Sequence, residues 1–234
     1  MTDFTKFEFG ASFEVLWLKS PTSPSPKTLW ARLNTTPTMK NDIEIFINFT
    51  KSICPELTGH ELEQFSKNIS VVSLQKKDYF FQAGQIQKEV GFISKGLIRS
   101  FYIDKNGNEK TLRFYAENHY VTHYTAFITH QPSKYSFQCL EPTTLVLLSY
   151  EKMQWAYKSF PKFEKYGRLI TEEILKMQQY RIESFIFQTA EERYLDFISQ
   201  NLDLYKRISL SLLCSYLGIE RQTLTRIRQK LARK

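Results

Sequence analysis

The spacing of apolar residues changes character twice along the chain. From Asn41 onward, Ile43, Ile45, Phe46, Phe49 and Ile53 share one side of a helix, and Pro55 interrupts it. Thr58 and Glu61 then make a capping-box pattern ahead of Leu62 and Phe65, which predicts a second short helix. From Ile69 to about Tyr150 the signal is that of strands. Val71 to Leu74, Tyr79 to Phe81, Val90 to Gly96, Leu97 to Ile103, Lys110 to Tyr115, Tyr135 to Cys139 and Thr144 to Ser149 are short β-rich runs. The Asn106-Gly107 pair predicts a tight hairpin between the fourth and fifth of these. Many short runs with turn residues between them read as a sandwich or a barrel. After Tyr150 the period is helical to the end of the chain. A short helix is expected over Glu151 to Tyr157, and a long one from Pro161 to about Gln188. Along it Ile170, Ile174, Met177, Arg181 and Ser184 alternate four and three apart, the spacing of a coiled-coil seam. Such a stripe needs cover, and a second copy of the chain supplies it. Ile170, Ile174, Met177 and Arg181 are therefore expected at a homodimer interface. Packing on the chain's own β-domain is the alternative.

Thr189 and Glu192 repeat the capping-box pattern and open a helix anchored by Tyr194, Leu195, Phe197 and Ile198. Lys206 and Arg207 lead from it into two further helices. Leu212, Leu213, Tyr216 and Leu217 form the apolar face of the first, and Gly218 breaks it with the residue that best tolerates a left-handed turn. Leu224, Ile227 and Leu231 mark the core face of the second. Its other face carries Arg221, Gln222, Thr225, Arg226, Arg228 and Gln229. Arginine pairs bidentately with guanine and glutamine with adenine in the major groove, while further Arg, Thr and Lys side chains hold phosphates. One face that packs and one that reads is the division of labour of a helix-turn-helix. Arg226 is expected at a base edge and Lys206 at a phosphate. A basic surface helix in an ordinary helical domain is the plain alternative.

Charge sharpens this picture. The 234 residues carry a net +8, and the stretch from Tyr205 to Lys234 holds eight Lys or Arg against one Glu, a local +7. A basic, folded C-terminus suits double-stranded DNA better than a membrane surface. No apolar run approaches the length needed to span a bilayer, and the N-terminus has no secretory pattern, so a cytoplasmic protein is expected. Cys54, Cys139 and Cys214 are far apart, with no zinc-finger or CxxC spacing. Residues 1–38 differ from the rest. Their Pro/Ser segment and aperiodic apolar residues predict a flexible extension, or an upstream in-frame translation with Met39 as the physiological start. A genuine short extension is the alternative.

The order of β-domain, long helix and C-terminal helix-turn-helix resembles the Crp/Fnr family of bacterial transcription regulators, from about Met39 to the C-terminus. Three stretches carry the resemblance. Gly84 to Gly107 looks like the early part of the family's β-roll. Thr189 to Leu195 looks like the start of its wing-domain helix. Leu217 to Arg226 looks like its recognition element. The implied fold is α+β: an antiparallel, jelly-roll-like β-roll sensor over 39–160, a dimerisation helix over 161–188, and a winged helix-turn-helix over 189–234. The implied function is a homodimeric, non-enzymatic regulator that reads a palindromic operator, with RNA polymerase as a candidate partner. By the resemblance, Arg221, Gln222, Thr225 and Arg226 sit where the family contacts bases, and Thr223 where it touches phosphate. Cyclic-nucleotide binders of this fold carry a Gly-Glu pair for the ribose and an Arg for the cyclic phosphate. Here Thr122-His123 stands in place of Gly-Glu, and the later segment offers Lys134 but no Arg. Thr122, His123 and Lys134 mark the expected effector pocket, and cyclic AMP is not the expected effector. No cofactor is expected either, because the cysteine cluster of the oxygen-sensing branch is missing.

His119, His123 and His130 suggest a competing reading as a β-barrel metal- or small-molecule-binding protein. Their spacing matches no ligand signature, and no metal is predicted. No phosphate loop, nucleophile elbow or paired catalytic carboxylates are present.

Overall fold

The computed structural model describes residues 37–67 and 69–233. The expected flexible extension lies outside the described residues, except that Pro37 and Thr38 already belong to the first helix. Two helices, α1 (Pro37–Ile53) and α2 (Gly59–Ser66), precede the sheets. The capping box of α2 is formed as predicted. The Thr58 N–H donates to Glu61 Oε2 at 2.7 Å, and the Glu61 N–H donates to Thr58 Oγ1 at 3.3 Å. Eight strands follow: β1 (Ser70–Leu74), β2 (Tyr79–Phe81), β3 (Glu89–Lys95), β4 (Ile98–Ile103), β5 (Glu109–Tyr115), β6 (Tyr120–Val121), β7 (Ser136–Cys139) and β8 (Thr143–Ser149). They form two four-stranded antiparallel sheets, ordered β1-β8-β3-β6 and β2-β7-β4-β5. The choice between sandwich and barrel thus resolves as two packed sheets of jelly-roll type.

The unbroken apolar runs of β3 and β8 have a physical cause. Ile93, Leu145 and Leu147 point between the sheets, against Ile98, Tyr115 and Phe137. Phe92, Val146 and Leu148 point outward, under Phe46 of α1, Phe65 of α2 and Phe163 further along the chain. A strand covered on both faces loses the alternation that a half-solvated strand keeps.

Two elements were not foreseen: β6 and a six-residue helix, α3 (Tyr124–Thr129). Both are too short to give a period. The β4–β5 hairpin also differs from a two-residue Asn-Gly turn. Its loop is Lys105-Asn106-Gly107, closed by Gly107 N–H to Asp104 C=O at 3.0 Å and Asp104 N–H to Asn108 C=O at 2.9 Å. Only Gly107 has positive φ, which is the three-residue hairpin with a glycine bulge.

The helical part continues as α4 (Tyr150–Ser159), α5 (Pro161–Phe187), α6 (Ala190–Gln200), α7 (Leu202–Arg207), α8 (Leu210–Leu217) and α9 (Arg221–Leu231). The second capping box, Thr189 with Glu192, is present at the start of α6. No strand occurs among the described residues of 189–234, so the expected wing is not formed there. The segment between α6 and α8 is instead α7, whose Leu204 and Tyr205 pack into the helix-turn-helix core.

The largest correction concerns α5. Ile170, Ile174, Met177 and Arg181, expected at a dimer seam, face the chain's own body. Ile170 packs on the core beneath α1, and Ile174 lines a small apolar cavity with Tyr124, Phe127 and Leu148. Met177 meets Arg113 of β5, and Arg181 stacks on Tyr216 of α8. The exposed stripe lies elsewhere on the helix: Leu175 is 63% exposed, Ile182 61% and Ile186 65%. These three are seven and four residues apart, which also places them along one seam.

Candidate nucleic-acid interface and sensor cleft

Ser209 caps α8 by accepting the Leu212 N–H at 3.3 Å, and Gly218 ends it with φ 67° and ψ 37°. The left-handed turn lets the Ile219 N–H reach the Cys214 carbonyl at 3.1 Å. A Cβ at Gly218 would stand 2.8 Å from Phe185 Cε1, so a side chain there would also have to displace that ring. On α9, Leu224 and Ile227 are buried against Leu213, Cys214 and Leu217. The free thiol of Cys214 behaves as part of that core. Arg221, Gln222, Thr225, Arg226, Arg228 and Gln229 are all exposed on the opposite face, and Thr223 is half-buried. The expected packing face is therefore buried and the opposite face is exposed. The Thr225 hydroxyl donates to the Arg221 carbonyl at 3.0 Å, which fixes it against its own helix. Lys206 is exposed and lies 3.7 Å from Asp203, a solvent-exposed pair of little strength.

The helix-turn-helix does not stand apart from the β-roll. Its core includes Leu97 and Phe114 of the roll. Ser215 of α8 accepts the Thr111 N–H at 2.8 Å and donates to the Glu109 carbonyl at 3.2 Å, occupying the free edge of β5. Arg207 is the strongest link. Its guanidinium donates to both oxygens of Glu117, at 2.8 and 2.9 Å, and also pairs with Glu141. Burial works to raise the Glu117 carboxyl pKa, but hydrogen bonds from Arg207 and the Gly96 N–H outweigh it and hold the pKa down at about 2. Sequence reasoning took Arg207 only as a lead-in, because its partners are 90 and 66 residues away.

This clamp has a defined pH window. A carboxyl whose folded pKa is depressed stabilises the fold fully above its ordinary value near 4.5, and that stabilisation is lost as pH falls toward about 2. Arg207→Met should cost about 1–3 kcal/mol at neutral pH, discounted for the partial exposure of the group. Urea unfolding of both proteins should show that difference shrinking between pH 4.5 and 2. A difference independent of pH would show that Arg207 acts through packing alone.

A cleft of about 1090 Å³ opens where β5, α5 and the helix-turn-helix meet. Thr122 and His123 line it; Lys134 does not, and is exposed. Gln87, which is buried, organises this wall: its Nε2 donates to Thr122 Oγ1 at 3.2 Å, and its Oε1 accepts the His123 N–H at 2.9 Å. The His123 ring lies 3.0 Å from Ser133 Oγ, and its pKa is lowered by burial and then by the charge of Lys134. The three histidines do not converge. His119 Nδ1 contacts the Glu117 carbonyl, His123 contacts Ser133, and His130 packs edge-on against Tyr150. Among the described residues no group of three or more His, Cys, Asp or Glu that could hold a metal ion is found. No helix among the described residues is long and apolar enough to cross a membrane.

Comparison with known proteins agrees with this geometry. Residues 71–160 match the family model of the cyclic nucleotide-binding domain. FixK2 from Bradyrhizobium japonicum superposes with a TM-score of 0.58 at 15% identity, over 70% of this chain and 84% of that one. A CooA mutant from Carboxydothermus hydrogenoformans gives 0.59 at 18%, over 76% and 80%. CLP from Xanthomonas campestris, a c-di-GMP responsive global regulator, gives 0.59 at 16%, over 75% and 92%. At these identities the likeness is one of fold: a β-roll, a long helix and a C-terminal helix-turn-helix in one chain. No curated protein is matched by sequence.

Proposed function

We propose that this chain, which has the fold of the Crp/Fnr-type regulators, is a sequence-specific DNA-binding transcription regulator. The observation that carries the reading is α9: a helix anchored by Leu224 and Ile227 whose outer face presents Arg221, Gln222, Thr225 and Arg226 to solvent. Those side chains fit base edges in a major groove, with Arg228, Thr223 and Lys206 placed for phosphates. The working unit is a homodimer joined through the exposed stripe of Leu175, Ile182 and Ile186. Two-fold symmetry then implies a palindromic operator with half-sites about one helical turn, roughly 34 Å, apart. Control of transcription from such a site acts on RNA polymerase, by contact or by exclusion. Selection of bound sequences from random duplex DNA tests the reading: a recovered inverted repeat is expected, and recovery of no preferred sequence would remove it.

Cyclic AMP is not the effector in this reading. His123 stands where cyclic-nucleotide binders of this fold offer a carboxylate to ribose, and Lys134 lies outside the cleft. Calorimetry with cyclic AMP should show no binding in the micromolar range.

A further inference from the structure

Helix α8 is held at both of its ends. At its C-terminal end the Gly218 turn packs against the Phe185 ring of α5. At its N-terminal end Arg207, two residues before the Ser209 cap, grips the β-roll. That grip is directional. Nη1 and Nη2 donate to the two oxygens of Glu117, at 2.8 and 2.9 Å. Nε donates to Glu141 Oε2 at 3.4 Å, and Nη2 also pairs with Glu141 Oε1. One planar fork is thus filled by two carboxylates, one from the turn after β5 and one from the turn between β7 and β8. Glu117 is itself fixed, because its Oε1 accepts the Gly96 N–H at 2.8 Å. Charge-assisted bidentate pairs set orientation as well as distance. The other contacts between motif and roll do so less. Packing on Leu97 and Phe114 is non-directional, and the Ser215 bonds to β5 join neutral groups. The eight residues of α8 span about 12 Å, so an anchor at each end sets the direction of the helix. Helix α9 follows it, since Leu224 and Ile227 pack on Leu213, Cys214 and Leu217.

We propose that Arg207 is a positioning residue for DNA reading: its clamp on Glu117 and Glu141 fixes the tilt of each helix-turn-helix on its own β-roll, and so selects the spacer between the operator half-sites. The inference rests on the homodimeric regulator proposed above. One base-pair step is roughly 3.4 Å along the duplex, so a small change of tilt carries a recognition helix past its step. A motif freed at the N-terminal end of α8 samples a range of tilts. It then binds operators of different spacer with similar affinity, because the pre-organisation that favoured one of them is gone. Arg207 acts here through α8 and touches no DNA, its fork being occupied by carboxylates.

The test uses the full chain and duplexes that carry the selected half-site twice, with the spacer lengthened or shortened by a single base pair. Wild type should bind its selected spacer about tenfold or more tighter than either neighbour. In Arg207→Met that discrimination should fall to about threefold or less, while base preference within each half-site stays as in wild type. Arg207→Lys keeps the charge without the fork and should fall between. Glu117→Gln lies on the β-roll, yet it should blur the spacer preference as Arg207→Met does. Glu141→Gln leaves the bidentate Glu117 pair in place and should blur it to a lesser degree. It is the variant to score if circular dichroism shows Arg207→Met misfolded. Lys206→Ala, one residue away, should weaken every spacer alike. Unchanged discrimination in the Arg207 and Glu117 variants, or wild-type binding indifferent to spacer, would overturn the proposal. So would an equal loss at every spacer in Arg207→Met with none in Glu117→Gln, which would make Arg207 a phosphate contact. The two readings fail differently: recovery of no inverted repeat removes the regulator itself, whereas a repeat whose spacer the clamp variants leave unchanged removes only this inference.

Discussion

Ile182→Asp should convert the protein from dimer to monomer while leaving the fold of each chain intact. Ile182 is 61% exposed on α5, in line with Leu175 and Ile186, so it is not part of the buried core of the described residues. In a dimer formed along this stripe the new carboxylate would be buried without a partner, which costs several kcal/mol. Loss of the dimer separates the two recognition helices, and the second half-site is then no longer bound at high effective concentration. Operator affinity should drop by about 10²-fold or more. The contrasting variant is Ile174→Asp. Ile174 lines the apolar cavity between α5 and the β-roll, so its replacement should lower the unfolding midpoint of the chain itself. Sedimentation and urea unfolding on both variants separate the two faces. If Ile182→Asp sediments as the wild-type dimer, the stripe is not the seam.

Arg226→Ala should lose about 1–3 kcal/mol of operator binding and relax preference at one base position in each half-site. Arg226 is exposed on α9, one turn beyond Gln222, and among the described residues no hydrogen bond or ion pair involves its guanidinium. Removal therefore costs the fold little, and the effect should appear almost wholly in recognition. Lys206→Ala is the control. Its ammonium is 3.7 Å from Asp203 on exposed α7, where it can meet a phosphate but is far from the reading face of α9 in sequence and element. It should weaken all sequences alike and reduce the salt dependence by about one counterion. Both variants can be scored on one randomised operator library. Altered sequence preference in Lys206→Ala, with none in Arg226→Ala, would place the reading surface on another element.

Local signals made much of this molecule legible before its structure. The capping boxes at Thr58 and Thr189 depend on residues three apart, so sequence alone decides them. Gly218 likewise announces its turn, because a left-handed C-terminus is a demand on one residue. The buried and exposed faces of α9 follow from helical period and needed no partner to be assigned. Other features depend on what each element meets across space. Helix α5 carries two apolar series at coiled-coil spacing, one through Ile170, Ile174 and Met177 and one through Leu175, Ile182 and Ile186. Periodicity cannot choose between them, and the β-roll chose by covering the first. The Arg207 clamp joins residues 66 and 90 apart, and the cleft beside β5 and α5 gathers side chains from several strands and helices. Neither leaves a trace in local spacing, because charge pairing across a fold is fixed by how the elements dock and not by the sequence around either partner.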